Sequence, residues 1–422
     1  MKIKVILYLI QFTLFSSYIL KSSDTIKITI ASADSIFLTK NLHLLSAKYN
    51  ISSAKALKLQ AKVYPNPSIY VEQSLINKIT RANYDTDPTR TGNTETLIQL
   101  NQLILLAGKR NKQIKLADIG VKLSETDFEN LLRTLRFQLH NDLTQMYYNQ
   151  KALKLLYEEQ KSIDILSDNI DEQVVKGFIS LSEGIRIKSL LLEIDKEINE
   201  YTNTNYDLIG EVNTILNFSE KTYIYAVTEP IYNTSFLSFN TYLDSATLYN
   251  PDIKKSNYMI DAYKAQYELN KALAVPDANI QLVYDKSGSY IRNYYGLGVG
   301  ISLPTFNRNQ GNIKSSKFHV NQGENDLKLQ QLSVASILFS NYQSSINNQT
   351  ILKNYSVNYE NQLLTMMDKV LENYQKRLIT LVDFTNYYES YKQGYLSLLQ
   401  IKATLNSNIE QINFLIGKPI IK

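Results

Sequence analysis

Proline is missing from two very long stretches of this chain. The eight prolines stand at positions 65, 67, 88, 230, 251, 276, 304 and 419, so residues 89–229 and 305–418 contain none of the residue that most reliably breaks a helix. Within the first stretch, residues 108–176 hold a single internal glycine, Gly120. Their apolar residues Ile114, Ala117, Val121, Phe128, Leu131 and Leu135 advance by alternating steps of three and four, close to a heptad. The spacing predicts one helix that, if unbroken to Lys176, is about 100 Å long. A helix of that length cannot be buried inside a compact domain of a 422-residue chain, so long partners must lie alongside it.

Composition narrows the classes. Hydrophobic residues are 44% of the chain and charged residues 20%, enough for a sizeable core. Lys2, Lys4 and Lys21 belong to a leader-like start, which leaves the rest of the formal +5 charge close to neutral and gives no general attraction to nucleic acid. Cysteine is absent, so a disulfide framework, a thiolate zinc site and a lipid-bearing cysteine are all excluded. Residues 1–23 read as a secretory signal: two lysines precede an apolar run from Val5 to Leu20 that is interrupted only by Gln11, Thr13, Ser16 and Ser17. Cleavage is expected between about Ser17 and Asp24. No other stretch approaches the roughly 20 apolar residues of a spanning helix, so any further membrane crossing would have to use β-strands.

Past the leader, residues 32–62 read as a helix beginning near Ala33 or Asp34, with Ala47, Ala54 and Ala61 at heptad steps. It stops at Pro65-Asn66-Pro67. Ile69, Val71 and Leu75 then alternate with Tyr70, Glu72 and Ser74 as a strand, residues 81–93 form a polar loop, and residues 94–106 return as a second strand. The long helix ends near Gly177, and a partner running back over 181–216 makes residues 176–182 a hairpin tip. After an irregular aromatic segment the plan recurs. Ala54, Ala61, Pro65, Ile69 and Val71 have counterparts in Ala265, Ala272, Pro276, Ile280 and Leu282, and Ile179, Leu181, Asn213 and Leu216 in Ile379, Leu381, Asn413 and Ile416. Duplication of one large module is expected: 24–217 as the first repeat, 218–241 as a linker or equatorial segment, and 242–422 as the second repeat.

The strands of the second copy alternate most plainly. Asn279, Gln281 and Val283 interleave with Ile280, Leu282 and Tyr284, and Gly296, Gly298 and Gly300 with Leu297, Val299 and Ile301. A transmembrane strand with lipid on one face and water on the other has this dyad pattern, with Tyr284, Tyr294 and Tyr295 suited to the interface. An ordinary soluble sheet has it too. The glycine run at 296–300 continues the alternation to Pro304 instead of opening a helix, which excludes a dinucleotide fingerprint. His43, His140 and His319 stand singly on separate predicted helices, and neither a nucleophile elbow nor a clustered carboxylate pair occurs. No catalytic, cofactor or metal residues are expected, and the chain does not read as an enzyme.

Taken together, these features resemble the TolC family of outer-membrane efflux proteins, and the order of segments is most similar to its heavy-metal efflux branch. The resemblance rests on Pro65-Asn66-Pro67, on Leu105-Leu-Ala-Gly-Lys-Arg110 opening the long helix, and on Leu303-Pro-Thr-Phe-Asn-Arg-Asn-Gln-Gly-Asn-Ile313 opening its twin. Arg377-Leu-Ile-Thr-Leu-Val-Asp383 at the second tip and Leu415-Ile-Gly417 complete it. It implies a mainly α chain with a transmembrane β part: a long α-helical barrel, with four strands per chain contributed to a shared trimeric β-barrel. The implied role is the passive exit duct of a tripartite efflux or type I secretion system, in the outer membrane and reaching into the periplasm. The implied partners are two further copies of the chain, outer-membrane lipid, a periplasmic adaptor and an inner-membrane pump. The rival expectation is a secreted or periplasmic helical scaffold with a soluble sheet.

Two sets of site residues follow. Gly177, Phe178, Ile179 and Ser180 at one tip, and Arg377, Leu378, Ile379 and Thr380 at the other, present apolar groups where an adaptor would dock. The family resemblance further implies a channel gate at Asp383 and Tyr374. Asn386 replaces the family's second aspartate, and Glu183, matching Asp383 through the 200-residue repeat, is the candidate to restore the charge.

Overall fold

The structure, a computed structural model, describes residues 25–73, 96–227, 229, 235–286, 291–355 and 357–421. The predicted signal, the polar loop 81–93, Leu75 and Thr94 lie outside the described residues. In chain order the elements are β1 (Thr25–Ile28), α1 (Ile30–Lys40), α2 (Leu42–Gln60), β2 (Ser68–Gln73), β3 (Thr96–Ile104), α3 (Lys109–Val175) and α4 (Leu181–Leu216). There follow β4 (Tyr223–Ala226), α5 (Phe239–Tyr249), α6 (Pro251–Leu273), β5 (Ala278–Asp285), β6 (Tyr294–Ile301), α7 (Gln310–Asn354), α8 (Val357–Gln375) and α9 (Leu381–Ile416). They make two compact units, one from residues up to Leu45 with Asn130–Asn250 and Leu332–Lys422, the other from Ser46–Glu129 and Pro251–Gln331.

In the first unit, the single helix expected over 32–62 is two helices. The first begins at Thr29, whose hydroxyl accepts from Ser32 N at 3.1 Å while Ser32 Oγ accepts from Thr29 N at 2.9 Å, a reciprocal cap. It ends at Asn41, where the backbone is extended. The buried Asn41 amide donates to Ile215 O at 2.7 Å and its Oδ1 accepts from Leu44 N at 2.9 Å, so it ties down the carboxyl end of α4 and caps α2 at once. An asparagine with two such backbone partners gains more from them than from continuing the helix. The aromatic segment after α4 is also more regular than its sequence suggests: Tyr223–Ala226 pairs in parallel with Thr25–Ile28, burying Ile28, Ile224 and Ala226.

The 67-residue α3 runs unbroken, as its periodicity predicts. Of the apolar stripe used to recognise it, Val121 is buried and Ile114, Ala117, Phe128, Leu131 and Leu135 are half-buried. The deepest positions come later. Leu156 and Ile163 on α3 pack into one cluster with Ile187 and Ile194 on α4, Leu363 and Met367 on α8, and Phe384 and Leu399 on α9. The second long helix is less regular, ending as α7 at Asn354 and resuming as α8 at Val357. The residues Asn354, Tyr355 and Ser356 are weak helix formers without being breakers, which a search for proline and glycine passes over.

His140, which the sequence leaves alone on its helix, has two carboxylate neighbours: Nε2 lies 3.1 Å from Asp34 Oδ1 and Nδ1 lies 3.0 Å from Glu410 Oε1. Burial disfavours the imidazolium, but these two acids more than offset it and raise the pKa to about 9. His140 is therefore a cation that links α1, α3 and α9 across 270 residues of sequence.

The second unit is built on an antiparallel sheet in the order β2-β3-β5-β6. Residues directly opposite one another share a face. Ile69, Leu100, Leu282 and Leu297 therefore form one apolar row and Val71, Ile98, Tyr284 and Tyr295 the next. The opposite face carries Tyr70, Gln99, Val283 and Gly296 in one row and Ser68, Asn101, Gln281 and Gly298 in another. At the base of β3, Ala107 and Gly108 are both left-handed, at φ 54° and 66°. The turn is held by Asp277 Oδ1, which accepts from Leu106 N at 2.9 Å and pairs with the buried Lys109 at 2.6 Å. Arg110 caps the preceding segment, donating from Nε to Lys62 O at 2.9 Å with its guanidinium over the Tyr64 ring. Where α6 meets α7, Gly323 is needed for closeness: a Cβ there would stand 2.9 Å from Tyr263 Cδ2.

Candidate functional site

The two hairpin tips are formed within the first unit. At the first, Gly177 is left-handed at φ 76°; its N–H reaches Val174 O and the N–H of Phe178 reaches Gln173 O at 2.8 Å. At the second, Arg377 is left-handed at φ 59°; its N–H reaches Tyr374 O and the N–H of Leu378 reaches Asn373 O at 2.9 Å. Both are the same paired closure of a helix end, the Schellman motif, and only the first uses the residue that adopts it without strain. The Arg377 guanidinium also donates to Gln173 Oε1 at 3.3 Å, bringing the two tips side by side.

Each tip then turns outward and inward in the same order. Phe178 and Leu378 are exposed at 75% and 68%, while Ile179 and Ile379, one residue on, pack against the shared cluster. Ser180 and Thr380 cap the returning helices. Ser180 Oγ accepts from Glu183 N at 3.3 Å, and Thr380 Oγ1 accepts from Asp383 N at 3.1 Å. The eight tip residues singled out by sequence thus fall together as one paired surface with two exposed apolar knobs.

The three residues considered for a gate are placed differently. Asp383 Oδ2 accepts from the Thr380 hydroxyl at 2.7 Å and lies 3.4 Å from Thr380 N, so its carboxylate completes a capping box. Tyr374 is half-buried and stacked on Phe384 at 4.9 Å between ring centroids. Its phenol pKa is raised first by burial and then by the negative charge of Glu183, which places the Glu183 carboxylate near it. Glu183 thus lies within electrostatic reach of Tyr374, whereas Asp383 is engaged with its own helix start.

A further polar group lies in the same unit and was missed by the sequence reading. Lys392 is fully buried, and its ammonium is 3.1 Å from Glu197 Oε1 and 2.9 Å from Glu389 Oε2. A lysine at that depth is rare without partners, and nothing in the spacing of α9 singles it out. The signal available was the run of acids at matching heights on the neighbouring helices.

Among the described residues no helix is long and apolar enough to cross a membrane. No family model matches the chain. In sequence it is similar to the cobalt-zinc-cadmium resistance protein CzcC of Cupriavidus metallidurans, at 21% identity over 323 residues, covering 76% of this chain and 73% of that protein. In structure it is similar to the Campylobacter jejuni CmeC outer membrane channel, with a TM-score of 0.70 and 16% identity over 92% of this chain and 86% of that one. It is likewise similar to the outer membrane protein VceC of Vibrio cholerae, with a TM-score of 0.72 and 14% identity over 92% of this chain and 96% of that one. The chain has the fold of these outer-membrane proteins.

Proposed function

We infer that this chain, a member of the TolC family of outer-membrane efflux proteins by its fold and by its sequence, is the outer-membrane exit duct of a tripartite efflux system. The observation that carries the reading is the four-stranded sheet. One face presents Ile69, Val71, Leu282, Tyr295, Leu297 and Val299 to the surroundings at 50% exposure or more, and its edge strands β2 and β6 have no partner among the described residues. A soluble sheet would cover such a face, whereas lipid covers it at no cost. Open edges are not tolerated in a bilayer, so the sheet has to be closed by other copies of itself. Three chains would then supply the strands of one shared barrel, and α3, α4, α7, α8 and α9 the walls of a helical tunnel.

Duplication of a single module is supported by paired details. The amide of Asn41 donates to Ile215 O at 2.7 Å and that of Asn250 to Leu415 O at 2.6 Å, each just after a short helix and each against the last turn of a returning helix. Asn213 donates to Thr222 O and Asn413 to Ile421 O, both at 2.9 Å. The sequence carries no dinucleotide fingerprint, which suits a passive duct driven from outside. Its tips, with Phe178 and Leu378 exposed, suit a periplasmic adaptor that joins it to an inner-membrane pump. The acids Asp383, at its helix start, and Glu183, near Tyr374, would be repeated around the threefold axis and make the closed end cation-selective. The cargo of the relative named above is a lead for this chain, and its metals head the substrates to try.

Cross-linking in detergent tests the assembly: a dominant three-chain species is expected, and a stable monomeric barrel would overturn it. For docking, Phe178→Glu and Leu378→Glu should abolish efflux-dependent resistance with trimers intact; unchanged resistance would remove the tips from that role. For the gate, Asp383→Asn should weaken block of single channels by a trivalent cation, and equal block in both proteins would remove Asp383 from it.

A further inference from the structure

The four strands pair as two similar hairpins. In the first, Ile69 stands opposite Leu100 and Ser68 opposite Asn101; in the second, Ile280 stands opposite Val299 and Asn279 opposite Gly300. With Ile69 and Ile280 as counterparts, Leu100 corresponds to Val299, Asn101 to Gly300 and Gln99 to Gly298. The hairpins join through β3 and β5, where Leu100 faces Leu282, Asn101 faces Gln281 and Gln99 faces Val283. Repeating the step that carries the first hairpin onto the second brings β6 of one copy against β2 of the next. Each residue of the inner contact then has a counterpart in the outer one.

Two observations fit the free edges to that contact. The face of β6 opposite its apolar one is glycine at 296, 298 and 300. A Cβ on Gly296 would strike the chain's own Tyr294 ring at 2.9 Å, whereas one on Gly298 or Gly300 would meet nothing closer than 3.7 Å. The repeated step sets Glu72 and Tyr70 of the next copy across from these two open glycines, with the Tyr70 hydroxyl donating to Glu72 Oε2 at 3.0 Å. An aromatic ring opposite an edge glycine restores packing that the glycine lacks. The second observation is at the foot of the strands. Inside the chain, Asp277 pairs with Lys109, the first residue of α3. Asn66 follows Pro65 as Asp277 follows Pro276, and Gln310, the first residue of α7, follows left-handed Asn309 as Lys109 follows left-handed Gly108. Both ionised groups are replaced together, by two amides, so neither edge offers the other an unpaired charge.

We propose that β6 of one copy pairs antiparallel with β2 of the next in the register that sets Val299 opposite Val71, Gly300 opposite Tyr70 and Gly298 opposite Glu72, with Asn66 against Gln310 at its foot. The proposal rests on the reading of this chain as one of three closing a barrel, and adds which residues meet at the joint.

Because the chain has no cysteine, introduced pairs are its only thiols. The full chain carrying Val299→Cys/Val71→Cys, or Gly298→Cys/Glu72→Cys, is extracted in detergent, oxidised with copper phenanthroline and run under denaturing conditions. These neighbouring pairs alternate between Cα separations of about 4.5 and 5.5 Å, both within disulfide reach. Covalent dimers and trimers should form. Ile301→Cys/Val71→Cys and Val299→Cys/Ile69→Cys lie two residues out of register on the same face, at about 7–8 Å, and should link about tenfold more slowly. Faster linking of either slipped pair, or no linking in any pair while the native chain is a trimer, would overturn the register and leave the trimer standing; a native chain that is not a trimer would overturn the reading beneath both. At the foot, Asn66→Asp should lower the melting temperature of the trimer and added Gln310→Lys should restore most of the loss. No restoration would remove that contact.

Discussion

Position 174 is valine and position 184 glycine at the first tip; 200 residues later the same places hold Tyr374 and Phe384. The first pair closes by absence, since a Cβ on Gly184 would already stand 3.3 Å from Val174 Cγ2. The second closes by stacking, two rings 4.9 Å apart at 24°. The caps differ in the same spirit. Leu181 is 67% exposed and Leu381 5%, and only the second tip has the full reciprocal box. One turn, fixed by backbone hydrogen bonds, is therefore compatible with two different ways of holding helices apart. What the side chains decide is how firmly the turn is held and how much of its surface is left free.

The contrast can be broken most severely at the ring. Phe384→Ala removes a fully buried aromatic and should cost about 3–5 kcal/mol. Amide exchange should accelerate at Leu378 and Ile379 with Phe178 little changed; equal acceleration at both tips would mean they unfold as one piece. Gly184→Ala, by contrast, should stay within about 1 kcal/mol of neutral, its gain in helix propensity opposed by the Val174 contact.

The left-handed residues come next. Gly177→Ala should destabilise the first tip by about 1 kcal/mol, and Arg377→Gly should stabilise the second by less than that, since the guanidinium bond to Gln173 is lost as strain is relieved. Local opening measured by exchange at Phe178 and Leu378 reads both. Should Arg377→Gly instead loosen the second tip, the arginine would be chosen for its side chain and not tolerated despite its backbone. The caps come last, with losses no larger than that of Gly177→Ala. Thr380→Ala is expected to cost about 1 kcal/mol and Ser180→Ala about half of that, because the Ser180 hydroxyl makes the longer bond and is shared with Ser182. Equal losses would show that the Asp383 half of the box contributes little.

Much of this architecture could be read from the chain alone, and the exceptions have a common cause. The ends of α4 at Leu181 and Leu216 coincide with those expected, because Ser180 is a good cap and the apolar period stops there. Strands β5 and β6 follow from strict alternation. What the sequence hid were pairings between residues far apart: the parallel β1 and β4, four residues each, and the break at Asn41, which depends on Ile215. Lys392 looks like any helix-surface lysine until α4 supplies Glu197. At the tips, Gly177 announces a left-handed turn and Arg377 does not, so its conformation had to come from the hydrogen bonds that enforce it.

The histidine clamp has a consequence for how the fold responds to pH. An isolated histidine would lose its charge near pH 6.5 and report every drift in acidity, but His140, with its pKa at about 9, keeps its proton throughout the neutral range. Because the folded value lies above the unfolded one, the stabilisation is complete below about pH 6.5 and is lost as pH climbs through about 9. A thermal melt of the native protein should therefore fall between those limits relative to His140→Gln, and a constant difference would disprove the linkage. Mild acid leaves this junction as it is, and alkali is what loosens it: a residue usually associated with sensing serves here as a fixed rivet.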